Sequence, residues 1–384
     1  MKIIQLIQKP QLRGAEMFAC QLSDELNSLG EESIIVSLFT GDAALPAKAR
    51  QIHLGRNIHR RFLDYKGWYN LSQVIKKERP DIIQANAGDT IKFAVYSKLL
   101  FGWKTPIIFR NASKISDYIN SRSKLIFNTL LFNRVDHVVS VSQSSEADFK
   151  KTFNFPAERI STIPIGINPQ DLPVGPPQDT YNIFKKSPVL IHVGGFSFEK
   201  NHKALIRIFS RIQNTLADAQ LILVGAGPLK DEIQEMVQKE GLNKSVHFLG
   251  YRSDVMALIN QADAFLLPSI IEGLPGVILE SFYCHVPVIA NNVGGIGEIV
   301  KHKETGWLIK KDDEAGFSEA VLDALMNTEL KKHCVNNAYE LVTSDYLNSS
   351  IAKRFTGLYK KVSVQYSEKH VARINKIESL DHSN

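Results

Sequence analysis

Two glutamates, Glu272 and Glu280, stand eight positions apart in the segment Pro268-Ser-Ile-Ile-Glu-Gly-Leu-Pro-Gly-Val-Ile-Leu-Glu280, with Gly273, Leu274, Pro275 and Gly276 between them. An ionised carboxylate only accepts hydrogen bonds, so such a pair suits a partner rich in hydroxyl groups. The apolar run Ala264-Phe265-Leu266-Leu267 just upstream reads as a buried strand, and 276–283 reads as a helix opening on a glycine. Glu272 then falls on a strand-to-helix loop. Glu280 falls about one turn inside the helix, on the face of Gly276 at i, i+4. The unpaired N–H groups and positive dipole end of that helix suit a phosphate, which the glutamates themselves would repel. A phosphate flanked by hydroxyl-bearing rings describes a nucleotide sugar.

The elements that must position this segment repeat along the chain. Apolar runs alternate with helical periods, the pattern of parallel sheets with helices on both faces. The expected strands are 2–8, 33–38, 81–85, 106–109, 136–141 and 160–164, with helices at 14–29, 66–78, 89–101, 121–133 and 143–150. The proline-rich stretch Pro169 to Pro177 interrupts regular structure and reads as a hinge. The pattern restarts with strands 188–193, 219–224, 245–248, 263–267, 287–290 and 306–309, and helices 201–215, 228–239, 253–259, 276–283 and 313–326. The fold class is α/β: two Rossmann-like, doubly wound parallel-sheet domains facing across a cleft, where strand-end loops converge on a ligand. The expected boundaries are a first domain at 1–168, a linker at 169–187, a second domain at 188–345, a C-terminal helix at 346–362 and a polar tail at 363–384.

Composition narrows the field. At 384 residues the chain exceeds one ordinary core. It contains no apolar window of transmembrane length, and Met1 to Ile7 is too short for a signal peptide and reads as a strand. Cys20, Cys284 and Cys334 are odd in number and lack metal-ligand spacing, which favours a reducing cytoplasm and no metal centre. Charge is uneven: residues 1–175 carry 23 Lys+Arg against 16 Asp+Glu, a net of +7, whereas the remainder carries 23 against 24. Residues 48–79 hold nine of the basic groups, and Leu99 to Lys104 adds apolar and aromatic side chains beside Lys98. A solvated basic face and docking on the inner, anionic face of a membrane both remain open; nucleic acid is not favoured, because no stacking motif accompanies the charge.

The signature Ser269-x-x-Glu272-Gly273-x-Pro275, with Glu280 eight positions on from Glu272, resembles the donor site of the retaining glycosyltransferases of family 4, which have the GT-B fold. Val246-His-Phe-Leu-Gly-Tyr251, Val286-Pro-Val-Ile-Ala290, Gly294-Gly-Ile-Gly-Glu298 and Thr305-Gly-Trp-Leu-Ile309 are similar to the same family in order. The likeness is strongest over 188–310. It implies a nucleotide diphosphate sugar as co-substrate with no metal required, and a saccharide or lipid-linked acceptor on the N-terminal domain. It also implies a last helix crossing back onto that domain, and a role in cell-surface polysaccharide assembly.

Particular residues then acquire expected roles. Glu280 would accept from ribose hydroxyls and Glu272 from hydroxyls of the donor sugar. Backbone N–H groups of Gly273, Leu274 and Gly276 would face the diphosphate past Pro275. Lys200, at the mouth of the loop Gly194 to His202, suits a diphosphate as a point charge, although a plain surface lysine fits the same pattern. The family's arginine in that loop is here Gly195. Tyr251 and Arg252 would line the base, and Asn201 and Ser253 read as helix caps. On the N-terminal side, Arg13 and Gly14 would approach donor phosphate or acceptor. Asn86 stands near the family's histidine position, where an amide can bond a sugar hydroxyl but cannot act as a base. Arg110 would face the acceptor or the phosphates, or else form a structural ion pair. Such enzymes need no protein base, because the leaving phosphate oxygen takes the acceptor's proton on the same face. A nucleotide-sugar epimerase or hydrolase of the same fold, and a non-catalytic saccharide-binding or scaffold protein, are the alternatives.

Overall fold

The computed structural model describes residues 1–170 and 172–381, which divide into two compact units. The first comprises Met1–Ile165 and the chain from Asn348 onward; the second is Gly166–Leu347.

The sheet of the first unit is built from β1 (Lys2–Ile7), β2 (Glu32–Phe39), β3 (Gln51–Arg56), β4 (Ile82–Ala85), β5 (Ile107–Asn111), β6 (His137–Ser140) and β7 (Ile160–Thr162). All are parallel, in the order β3-β2-β1-β4-β5-β6-β7. Strands buried on both faces need apolar residues at consecutive positions, as in Ile107, Ile108 and Phe109 of β5. Alternate residues serve opposite layers. Ile4, Leu6, Ile83 and Ala85 point to a core shared with Trp68, Leu71, Phe93, Phe132 and Phe149 of four helices. Ile3, Ile82 and Ile108 point the other way, to Phe18, Leu22 and Leu26 of helix Gly14–Ser28 and to Ile351, Phe355 and Tyr359 of helix Asn348–Asp381. The final helix is therefore part of this unit's core.

The second unit contains β8 (Val189–Val193), β9 (Gln220–Val224), β10 (Val246–Gly250), β11 (Ala264–Leu267), β12 (Val288–Asn291) and β13 (Trp307–Ile309). They are parallel in the order β10-β9-β8-β11-β12-β13. The order reverses beside β8 and β11, and the loops leaving those two strands carry Lys200 and Glu272. Such a reversal parts the connecting helices to opposite faces and leaves a hollow at the strand ends.

Four expectations need correction. β3 was not anticipated, because its alternation of exposed and half-buried residues (Gln51, Ile52, His53, Leu54, Gly55, Arg56) marks an edge strand rather than a continuous apolar run. Helix Thr328–Asp345 buries only Cys334, Ala338 and Val342, too thin a stripe to stand out from its polar surround. The linker expected at 169–187 contains a helical turn at Gln178–Thr180 and a short helix at Tyr181–Phe184; its Asp171 lies outside the described residues. The tail expected from 363 continues as helix to Asp381, since the segment is polar yet free of glycine and proline; residues 382–384 lie outside the described residues. Among the described residues, no helix is long and apolar enough to cross a membrane, and Cys20, Cys284 and Cys334 are all buried free thiols.

Candidate functional site

The site of the second unit grows from two loops held together through their backbones. The first leaves β8 as Gly194-Gly195-Phe196-Ser197, makes a helical turn at Phe198–Lys200 and enters helix His202–Gln213 through Asn201. The second leaves β11 and enters helix Gly276–Tyr283 through Pro275. The Ile270 N–H donates to the Glu199 carbonyl at 2.8 Å, and the Asn201 side-chain amide donates to the Pro268 carbonyl at 3.2 Å. Asn201 therefore stitches the loops instead of capping its helix; it adopts a left-handed backbone with φ of 54° and makes no side-chain cap bond.

A third loop closes on the second. A Cβ at Gly294 would lie 1.9 Å from the Glu272 carbonyl oxygen, and φ there is +59°, so only glycine fits. The Gly295 N–H donates to the Gly273 carbonyl at 2.6 Å. The glycines singled out near the signature thus let three strand-end loops interlock. The Gly225-Ala226-Gly227 turn is also structural: its Ala226 carbonyl accepts from the Phe196 N–H at 3.1 Å.

These ties bring Lys200 and Glu272 together, with Nζ 2.6 Å from Oε1. The stem of Lys200 lies across Gly194, close to the Nε2 of His192. His192 and His202 were not singled out in the sequence, where histidines are scattered. Both are buried, their rings 4.8 Å apart and edge-on, and Phe196 stacks on His202 at 4.2 Å. Burial first, then the nearby Lys200 charge, holds His202 down at about 4, and burial holds His192 well below its ordinary range. The floor under Lys200 is therefore neutral at physiological pH.

Glu280 contrasts with Glu272. Its half-buried side chain has no hydrogen-bond or ion-pair partner among the described residues, and desolvation pushes its carboxyl up to about 7. Leu274 and Pro275 are buried, while Gly276 and Val277 open the helix half-exposed with N–H groups that no described acceptor takes. Ser269 is fully buried with an unpaired hydroxyl. Helix Gly276–Tyr283 thus carries unpaired donors at its opening and an unpaired carboxyl about one turn in. Among the described residues, no group of three or more His, Cys, Asp or Glu side chains is arranged to hold a metal.

Other expected positions fall out differently. Tyr251 is 55% exposed and open to a flat ligand. The Arg252 guanidinium is held by both Asp254, at 2.6 and 2.7 Å, and Asp179, which raise its pKa; only its backbone is left for a base. Asp254, not Ser253, occupies the cap position of the following helix. Gly195 is exposed, and a Cβ there would meet only the Ala226 carbonyl at 3.4 Å.

In the first unit, Arg13 and Gly14 are exposed at the start of helix Gly14–Ser28, whose N-cap makes no side-chain bond. Asn86 is not available as a sugar ligand. It is buried, donates to the Gln5 side chain at 3.0 Å and the Leu6 carbonyl at 3.2 Å, and accepts from Gln84 at 3.0 Å. Tyr359 completes this network by donating to Gln84 and accepting from Gln5. Arg110 is likewise buried, its guanidinium 3.8 Å over the Phe18 ring, and burial lowers its pKa to about 10. It forms no ion pair among the described residues, and one of its terminal nitrogens has no partner.

Comparison with known proteins agrees with this construction. A model described as Glycosyltransferase Family 4 matches residues 12–171, and one described as Glycosyl transferases group 1 matches residues 178–341. The chain belongs to the family 4 glycosyltransferases, and its two Rossmann-like units have the GT-B fold. It is 32% identical to the N-acetyl-alpha-D-glucosaminyl L-malate synthase of Bacillus anthracis over 182 residues, 47% of this chain and about half (48%) of that relative's length. It is 26% identical to the N,N'-diacetylbacillosaminyl-diphospho-undecaprenol alpha-1,3-N-acetylgalactosaminyltransferase of Campylobacter jejuni over 319 residues, 78% of this chain and 82% of that one. Among solved structures, Anabaena HepE in complex with UDP-glucose superposes with a TM-score of 0.78 at 19% identity, over 94% of this chain and 100% of the other. Sucrose-phosphate synthase from Thermosynechococcus elongatus gives 0.81 at 20% identity, over 95% and 99%. At such identities the likeness shows the fold.

The Glu280 carboxyl makes a testable demand on stability. Its folded value of about 7 lies above the ordinary value of 4.5, so ionising it costs folding free energy. That cost is absent below about pH 4.5 and fully present above about pH 7. Glu280→Gln should therefore be more stable than the wild type at pH 8, by roughly 1–3 kcal/mol, with the gap closing by pH 4. Thermal unfolding at the two pH values measures this; a gap that does not change with pH would show that Glu280 is solvated like an ordinary surface acid.

Proposed function

We propose that this protein moves a sugar from a nucleotide diphosphate sugar to a saccharide or lipid-linked saccharide acceptor, with retention at the anomeric carbon and without a bound metal. The observation that carries the reading is the half-buried, unpartnered Glu280 carboxyl one turn inside a helix whose first N–H groups are also unpaired. A ribose diphosphate supplies what both lack: hydroxyl donors for the carboxylate and phosphate acceptors for the N–H groups. Uridine is the first base to try, because HepE is seen with UDP-glucose and the relatives include transferases of amino sugars.

In this reading Glu280 binds ribose hydroxyls and Glu272 binds hydroxyls of the donor sugar. The N–H groups of Gly276 and Val277, the helix dipole and Lys200 stabilise charge developing on the leaving diphosphate. The bond from the anomeric carbon to the phosphate oxygen breaks while a bond to the acceptor oxygen forms on the same face. The acceptor's hydroxyl proton passes to the departing phosphate oxygen. No side-chain base is required, which is compatible with the burial of Asn86 in a structural network. Site and family membership both favour transfer over the scaffold alternative.

The direct test is thermal unfolding with UDP, GDP and ADP without added metal, followed by turnover of the corresponding nucleotide sugar with a saccharide acceptor. A nucleotide at a hundred times its dissociation constant adds about 2.7 kcal/mol of stability. Lys200→Ala should then lower turnover more than ground-state donor affinity. No stabilisation by any nucleotide and no turnover of any sugar would leave the scaffold reading in possession.

Gly195 offers a gain-of-function check. An arginine fits there without backbone strain and would restore the second cation of the family's loop. Gly195→Arg should tighten nucleoside diphosphate binding about tenfold or more, as expected for one charge-assisted hydrogen bond. Unchanged affinity in calorimetry would place position 195 away from the diphosphate.

The acceptor side has a surface suited to an anionic lipid layer. Phe62, Leu63, Tyr65 and Tyr69 are 46–79% exposed, and Tyr65 and Tyr69 both pack on Phe101. Lys66 is exposed among them without an ion pair among the described residues, whereas Arg50 and Arg56 are neutralised by Glu78 and Asp64. Each basic group near such a surface is worth on the order of 1 kcal/mol. The protein should sediment with phosphatidylglycerol vesicles and not with phosphatidylcholine, and Leu63→Ser with Lys66→Glu should abolish this. Equal sedimentation of the variant would return the surface to the status of a solvated face.

A further inference from the structure

The Lys200–Glu272 pair has a consequence for the reaction cycle that rests on the donor reading above. The two residues assigned to the diphosphate and to the donor sugar are bonded to each other at 2.6 Å. Their backbones cannot separate to relieve this. The Ile270–Glu199 and Asn201–Pro268 hydrogen bonds tie one loop to the other, and the close approach of Gly294 pins Glu272 from behind. The pair is partly screened from water, with Lys200 21% and Glu272 10% exposed, and its only way to open is by side-chain rotation. Among the described residues, neither Lys200 nor Glu272 forms another ion pair.

We infer that Glu272 is the residue that selects the sugar-bearing donor over the bare nucleoside diphosphate, by competing with phosphate for Lys200. A complete donor brings both replacements at once: phosphate oxygens for the lysine and sugar hydroxyls for the carboxylate. The bare diphosphate brings only the first, so it must either strip Lys200 from Glu272, leaving a mostly buried carboxylate without a partner, or bind without the lysine. The same competition acts after transfer. Once the sugar has left, Glu272 loses its hydroxyl partners, retakes Lys200 and weakens the hold on the product. The one ion pair thus favours donor entry and product departure together.

The inference is tested by a double-mutant cycle on Lys200→Ala and Glu272→Gln, read by calorimetry with whichever of UDP, GDP or ADP binds the wild type. Glu272→Gln should tighten that nucleotide roughly three- to tenfold, the scale of a partly exposed ion pair. It should also slow product release and strengthen product inhibition, while the affinity for the intact nucleotide sugar falls. In the Lys200→Ala background the gain should vanish, because no lysine is left to release. A gain that persists without Lys200 would reduce the effect to repulsion between Glu272 and phosphate, and would overturn the inference. So would unchanged or weaker nucleotide binding by Glu272→Gln, which would make Glu272 a mere orienter of Lys200. If no nucleotide binds either the wild type or Glu272→Gln, both the donor reading and this inference fall together; if the wild type binds and the cycle fails, only the inference falls.

Discussion

The backbone hydrogen bond from Ile270 to Glu199 is the constraint on which the site depends. It joins the loop after β8 to the loop after β11, across the two strands where the sheet order changes direction. Without it Lys200 and Glu272 would be two flexible side chains on independent loops, and an ion pair between exposed flexible groups is worth little. With it, one rotamer of each suffices to bring them together. The Gly294 approach and the Asn201 stitch act in the same direction, so the hollow is preorganised through main-chain contacts. Preorganisation matters most where charge develops late, because fixed dipoles need no reorganisation at that moment.

Parallel sheets were legible because buried strands repeat apolar residues at consecutive positions, as in Ile107 to Phe109 and Ala264 to Leu267. The elements that escaped notice, β3 and helix Thr328–Asp345, are those whose burial is partial. Their sequences average over solvent and core and carry no sharp period. The placement of Glu272 on a strand-to-helix loop and of Glu280 in the following helix was legible for a different reason: a helix opening on glycine with carboxylates at fixed offsets states its own geometry. What could not be read was partnership. Nothing in the local sequence says that Arg252 would be consumed by Asp179 and Asp254, that Lys200 would meet Glu272, or that His192 and His202 would form a neutral floor. Those contacts join residues up to 73 positions apart.

Asn86 and Arg110 show the same limit in the first unit. Both end strands where a ligand residue is expected, and both are turned into the fold. Asn86 belongs to a closed set of amides with Gln5, Gln84 and the Tyr359 hydroxyl, which reaches in from the final helix. A histidine at that position would have to satisfy these partners or leave them unpaired in a buried setting, at a cost of about 1–3 kcal/mol each. The amide is thus explained by packing, and the chemistry of the site has no call on it.

The distribution of charge in the second unit follows from these pairings. Of the cations near the strand ends, Arg252 is doubly neutralised, position 195 has none, and Lys200 is shared with Glu272. On the proposed reading, a diphosphate here would meet little fixed positive charge and would be held largely by the N–H groups at the opening of helix Gly276–Tyr283. Dipoles of that kind hold an anion less tightly than an uncompensated arginine would, but they neither repel a neutral sugar nor have to be neutralised when the anion departs. Glu280 fits the same economy. Its desolvated carboxyl is costly to ionise and would be relieved by hydroxyl donors, so on the proposed reading recognition would come from unsatisfied groups rather than from net charge.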